Sequence, residues 1–258
     1  MRNVFLAELR RGWLLFLRYP SETVTGIVSL TAIFLALFLG ARYIAGGGGA
    51  QFGTRLDGII VNYLLWSLTI FALGDMGWTI QMEAQTGTLE QLYLSPYGPR
   101  RIFLLRAVAD LFGQLVMITA VMGLILLITR RSLHFTVSII PPLLTTILGT
   151  LGLGFVLGGL TLLFKRIQNV LQLTQFVVLF MIVVPIEGWH GWARILGACI
   201  PLAPSTALLR QIMVHGAPVT LGPLAVAVLN GLAYFYLGQA LFLYADRMAK
   251  RRGLLGGY

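Results

Sequence analysis

Six apolar stretches, each close to the roughly 20 residues that a helix needs to cross a bilayer, leave this chain few architectures to choose from. They run near Val24–Ala45, Gly58–Ile80, Ala107–Thr129, Ser138–Phe164, Val170–Ile186 and Val219–Ala245. Lipid offers no hydrogen-bond partners, so a spanning segment must satisfy its own backbone, and a helix of this length does so. Only 11% of the 258 residues are charged and 57% are hydrophobic, whereas a soluble domain carries about a quarter charged residues. The expected fold class is an all-α membrane protein, one transmembrane domain over residues 1–258 with six spans. The first apolar run is longer than a signal h-region and has no small-residue cleavage site, so no cleavable signal peptide is expected. Cys199 stands alone and cannot form an internal disulfide.

The net charge of +10 flanks the apolar runs rather than forming one surface. Membrane lipids with anionic head groups are therefore the expected counterpart, and nucleic acid is not. With both termini on one side, that side collects Arg2, Arg10, Arg11, Arg18, Arg100, Arg101, Arg106, Lys165, Arg166, Arg247, Lys250, Arg251 and Arg252. The other side keeps Arg42, Arg55, Arg130, Arg131, Arg194 and Arg210. Thirteen of the 19 basic residues against six places both termini in the cytoplasm of a multi-pass protein of the cell (inner) membrane.

Residues 1–21 form an amphipathic segment. Phe5, Leu9, Trp13 and Phe16 share one helical face, with Leu6 and Leu17 beside it and Arg10, Arg11 and Arg18 elsewhere. That pattern suits a helix lying in the cytoplasmic head-group layer, as a plain anchor or with a further role. Gly46–Gly49 is expected as a flexible external loop. Residues 187–216 contain Trp189, Trp192, Pro201 and Pro204 between apolar pieces too short to span singly. Two half-length helices that dip into the outer leaflet and return fit this better than a seventh span, which would turn Arg247–Arg252 outward. On the fourth span, Thr150, Gly154 and Gly158 recur at spacing four, joined by Gly152 and Gly159. Such small residues serve close helix packing within one chain or contact with a second copy.

Between the second and third spans, residues 81–105 interrupt the apolar pattern with a polar segment. Thr86 or Thr88 can cap a short helix, Leu89, Leu92 and Tyr93 give it an apolar edge, and Ser95-Pro96 with Gly98-Pro99 ends it. Nothing nearby generates force or does chemistry. His134, His190 and His215 are scattered, and no HExxH, paired-cysteine or Gly-x-Ser-x-Gly pattern occurs. Asp57, Asp75, Asp110 and Glu187 lie near span ends, so no relay of carboxylates through the membrane centre is expected. Internal repeats, the mark of many secondary carriers, are absent.

The pattern Glu83-x3-Gly87-Thr88-Leu89-Glu90-x-Leu92-x2-Ser95-Pro96, with two arginines and a third span after it, resembles the permease subunits of type-2 ATP-binding-cassette exporters. The Pro201–Arg210 stretch also resembles the family's sequence before its last span. The resemblance implies an amphipathic N-terminal helix, six spans, a cytoplasmic coupling helix and external re-entrant helices. It implies that Glu83, Gly87, Thr88, Leu89, Glu90, Gln91 and Leu92 contact a separate ABC ATPase, with a solvated helix face as the plainer role for Glu83 and Glu90. It further implies a second permease copy, as homodimer or related heterodimer, with the pathway between the copies. The sequence holds no Gly-x-x-x-x-Gly-Lys-Ser/Thr phosphate loop, so no catalytic residue and no cofactor is expected in this chain. ATP and Mg would be bound by the partner subunit.

If the second and fifth spans line the pathway, as the resemblance implies, two polar arcs are the candidate lining. Gln168, Gln172 and Gln175 fall within about 60° of one another on the fifth helix, continued outward by Leu179 and Ile182. Asn62, Trp66 and Thr69 share a comparable arc on the second. Neutral polar groups in an apolar passage suit an amphipathic, lipid-like, drug or glycan substrate, and the same amides also serve interhelical hydrogen bonds. The alternatives to an ATP-driven exporter are a secondary transporter driven by an ion gradient and a membrane-embedded enzyme or assembly factor.

Overall fold

The computed structural model describes residues 2–44, 51–96, 98–164 and 168–252. The expected Gly46–Gly49 loop and the charges of Lys165 and Arg166 lie outside them, as do the side chains of Glu90 and Gln168. Helices α1 (Arg2–Arg18), α2 (Pro20–Ile44), α3 (Gln51–Gln85), α4 (Leu89–Leu94) and α5 (Pro99–Thr129) are followed by α6 (Ile140–Leu163), α7 (Gln168–Val183), α8 (Trp192–Cys199), α9 (Ala203–His215) and α10 (Leu221–Arg251). Short 3-10 turns sit at Val137–Ile139 and Ile186–Gly188, and no strand occurs among the described residues. All six apolar runs lie on helices. Five of these, α2, α3, α5, α6 continued from Val137, and α10, are long and apolar enough to cross a membrane.

The fifth run is the exception. α7 has 16 residues, which at 1.5 Å per residue is about 24 Å, short of the roughly 30 Å hydrocarbon layer. Its helix stops at Val183 because Pro185, with no N–H to give, opens the tight turn at Ile186–Gly188. Of the six expected spans, five are long helices and the fifth is a shorter apolar helix, and the two half-length helices expected within 187–216 form a bent pair.

That pair is α8 and α9, which meet at 100°. Leu202, in the left-handed region at φ 65°, makes the corner. Its amide is met by the Asn230 side-chain oxygen at 3.3 Å, and the Asn230 amide donates to the carbonyls of Ala198 and Ile200. Asn230 of α10 therefore satisfies the backbone groups that the break releases. α9 is almost wholly buried, while α8 leaves Trp192, Ile195 and Leu196 exposed.

α6 is the central helix, between α3 and α10 and under α9. Its small residues serve both neighbours. A Cβ on Gly238 would lie 1.9 Å from the Gly152 carbonyl oxygen, and one on Gly152 would lie 2.3 Å from that of Tyr234. On another side, Gly154 and Gly158 receive Met76 and Ile80 of α3. The small-residue stripe is thus used for packing within the chain. Outside this core, α5 lies along α3, and α1 and α2 lie along α5. α7 rests on α3 and α9 with Val178 and Ile182 buried, and leaves Leu173, Phe176 and Phe180 exposed.

α1 turns Phe5, Glu8, Leu9 and Gly12 toward α5 and leaves Leu6, Trp13, Leu14 and Leu17 exposed. An apolar stripe remains open along its length, as a helix seated in a head-group layer requires.

Candidate functional site

The loop expected to meet a partner is held at one end of the bundle. Gly87, at φ 71°, makes the turn from α3 into α4, and Gly98, at φ 72°, makes the turn into α5, where Pro99 starts the helix. Both need the left-handed region that glycine enters freely. Thr88 occupies the N-cap position of α4 but does not cap it. Its hydroxyl turns back to the Glu83 carboxylate, and Thr86 pairs with Thr88 at 2.8 Å. The carboxylate tied in this way also accepts from Arg106 Nη1 at 2.7 Å. Arg106 reaches Glu8 of α1 at 3.4 Å, and Arg11 pairs with the same Glu8 at 3.3 Å. A single arginine on α5 thereby joins the end of α3, the α4 turn and the N-terminal helix.

The apolar edge of α4 faces inward, so Leu89 and Leu92, which the resemblance places among the contacts to a separate ATPase, pack on the chain's own core. Leu89 is 1% exposed among Ile80, Ala84, Phe103 and Ala249, and Leu92 and Tyr93 pack on that cluster. The same apolar spacing that would suit a partner is consumed by the chain's own core. Lys250 Nζ stands 4.7 Å from the centre of the Tyr93 ring and pairs with Asp246 at 2.9 Å, fastening α4 to the end of α10. The outward surface consists of Gln85, Thr86, Gly87, Gln91 and Leu94, the last 85% exposed.

One turn along α5 from Arg106, Asp110 neighbours Asp75 of α3. Both line a cavity of about 460 Å³ with Glu22, Gln114 and Trp13. In the sequence the two aspartates read as separate residues near span ends. Arg106 and Asp110, four apart and on one helical face, were the available signal.

At the other end of the bundle Arg210 of α9 is the organising charge. It donates to Asn62 Oδ1 at 2.8 Å, to the Ile182 and Val184 carbonyls at 2.5 and 3.0 Å, and to Glu187 at 2.9 Å. The Ile182 carbonyl, in the last turn of α7, and the Val184 carbonyl just beyond it, which also accepts from the Ile186 amide, thus find a cationic donor. Trp66 Nε1 donates to the Gln175 carbonyl at 3.2 Å. Asn62 and Trp66, both expected in the pathway, therefore lie at the seam of α3 with α7 and α9. Thr69 is fully buried and its hydroxyl has no partner among the described residues, so it faces neighbours within the chain. Gln172 and Gln175 are exposed, but the expected outward continuation of their face is broken, because Ile182 is buried against the core. Among the described residues no group of three or more His, Cys, Asp or Glu side chains is arranged to hold a metal ion. No protein-family model matches the chain, and no curated protein is similar to it in sequence.

Proposed function

We propose that this chain is the transmembrane subunit of an ATP-driven exporter that works with a separate ATPase subunit. α4 is the coupling helix, both termini are cytoplasmic, and two copies form the pathway for an amphipathic, lipid-like, drug or glycan substrate. Besides the Glu83–Pro96 resemblance, one observation carries this reading. α4 is anchored on its inner side to α3, α5 and α10, while Gln91 and Leu94 stand outward at the end of the bundle that holds the Arg106 network. A push on that surface reaches three long helices at once through packed side chains and ion pairs, which a loose loop would not transmit.

A second reading, a carrier driven by an ion gradient, is favoured by the Asp75–Asp110 pair in its cavity, since carboxylates within spans mark ion and proton paths. Uptake of a fluorescent amphiphilic amine into inverted vesicles from the native host separates the two. The exporter requires ATP, is stopped by vanadate and survives the Asp75→Asn and Asp110→Asn changes. Uptake on a proton gradient alone, lost in either variant, establishes the carrier instead.

A further inference from the structure

The end of the bundle opposite α4 carries a cleft that none of the preceding contacts uses. It has a volume of about 200 Å³ and lies between α3 and α5, floored by Leu209 and Met213 of α9. Val61, Leu64 and Leu68 form one wall and Ile118 and Met122 the other, with Thr119 and Phe135 exposed at the lip. In a membrane such a cleft opens sideways into hydrocarbon. The loop after α5 crosses its outer end. Leu133 plugs into the core and the His134 amide donates to the Met213 carbonyl at 2.9 Å, which fixes Phe135 at the lip. Arg130 and Arg131 begin this same loop, at the C-terminal end of α5. Arg130 is exposed and makes no ion pair among the described residues, and Arg131 lies 3.9 Å from Asp57.

We propose that this cleft holds one acyl chain of an anionic phospholipid whose phosphate is bound by Arg130 and Arg131. The length fits. Along α5, Met122 and Ile118 lie 8 and 12 residues before Arg130, about 12 and 18 Å at 1.5 Å per residue. One leaflet of hydrocarbon is about 15 Å deep, so a chain from a phosphate at Arg130 ends among these side chains. The charge fits as well, because two adjacent arginines carry more positive charge than Asp57 can balance. The site is independent of any ATPase and of the α4 surface, so it goes beyond the exporter reading and does not rest on it.

The test is native mass spectrometry of the full chain purified in detergent, offered an equimolar mixture of dioleoyl phosphatidylglycerol and dioleoyl phosphatidylcholine. The wild type should retain one phosphatidylglycerol in preference to phosphatidylcholine. The double change R130Q/R131Q should reduce that preference about 30-fold, taking each arginine near a head group at about a fivefold effect. Thr119→Trp, at an exposed position, should fill the cleft and displace the lipid with both arginines in place. Arg251→Gln/Arg252→Gln, at the opposite end, should leave retention unchanged. Equal retention of the two lipids by the wild type, or a preference that persists in either R130Q/R131Q or T119W, would mean ordinary annular lipid and overturn the proposal.

Discussion

Leu89 and Leu94 sit five residues apart on the same short helix and should respond in opposite ways to substitution. Leu89→Ala removes a side chain that is 1% exposed in the cluster around Phe103 and Ala249. It should destabilise the protein by about 2–5 kcal/mol, read as a lowered melting temperature in detergent. Leu94→Asp changes a side chain that is 85% exposed and should leave melting unaltered. It would place an unpaired charge on the proposed docking surface, where desolvation costs several kcal/mol, and so should abolish ATPase docking. Unchanged docking in L94D, with melting intact, would remove α4 from the coupling role. Arg210→Ala is the matching change at the other end. It removes the Arg210 hydrogen bonds to the Ile182 and Val184 carbonyls and to Glu187, leaving Val184 only its bond from the Ile186 amide. A loss of about 1–3 kcal/mol is expected, with the end of α7 exchanging amide hydrogens faster. Unaltered exchange at Val178–Val183 would contradict that role. In the sequence, Leu89 and Leu92 were legible as an apolar edge and Arg106 and Arg210 as charges beside apolar runs. Helical spacing does not say whether an edge meets its own chain or another, because the physical demand is the same in both cases.

At the scale of elements, the apolar runs were readable because a bilayer imposes one length on every span. The shortness of α7 shows already in the Val170–Ile186 run, the shortest of the six, and Pro185 marks where the helix has to stop. The α8–α9 corner was foreshadowed by Pro201 and Pro204, whereas its supporting Asn230 lies far along the chain and carries no local signal. The α6–α10 contact shows the same division. Gly152 and Gly159 announced a close approach, but the complementary Gly231 and Gly238 lie on a helix some 80 residues later. Gly238→Ala tests that contact, since its Cβ would fall 1.9 Å from the Gly152 carbonyl oxygen and backbone has to move. The expected cost is about 1–3 kcal/mol, as for other overpacked sites, and it should appear as a lower melting temperature. Gly222→Ala, where a Cβ meets nothing within 4 Å, is the control and should melt like the wild type. Equal melting of all three proteins would deny the tight α6–α10 packing.

In the whole molecule, an apolar bundle joins two polar ends. The α4 end ties α1, α3, α4, α5 and α10 together, and the Arg210 end ties α3, α7 and α9. α3, at 35 residues, is the helix that belongs to both. Alone, the chain should hydrolyse no ATP, since no phosphate loop is present in its sequence. The central claim is that a separate ATPase docks on the outward surface of α4. A photo-reactive residue placed at Leu94 in the otherwise native chain, irradiated in intact membranes and analysed by mass spectrometry, tests it directly. The expected result is a cross-link from position 94 to a polypeptide bearing a Gly-x-x-x-x-Gly-Lys-Ser/Thr loop, and none to that polypeptide from a probe at the exposed Leu221 at the opposite end. Cross-links to lipid alone at position 94, or to the same ATPase equally from both ends, would contradict it.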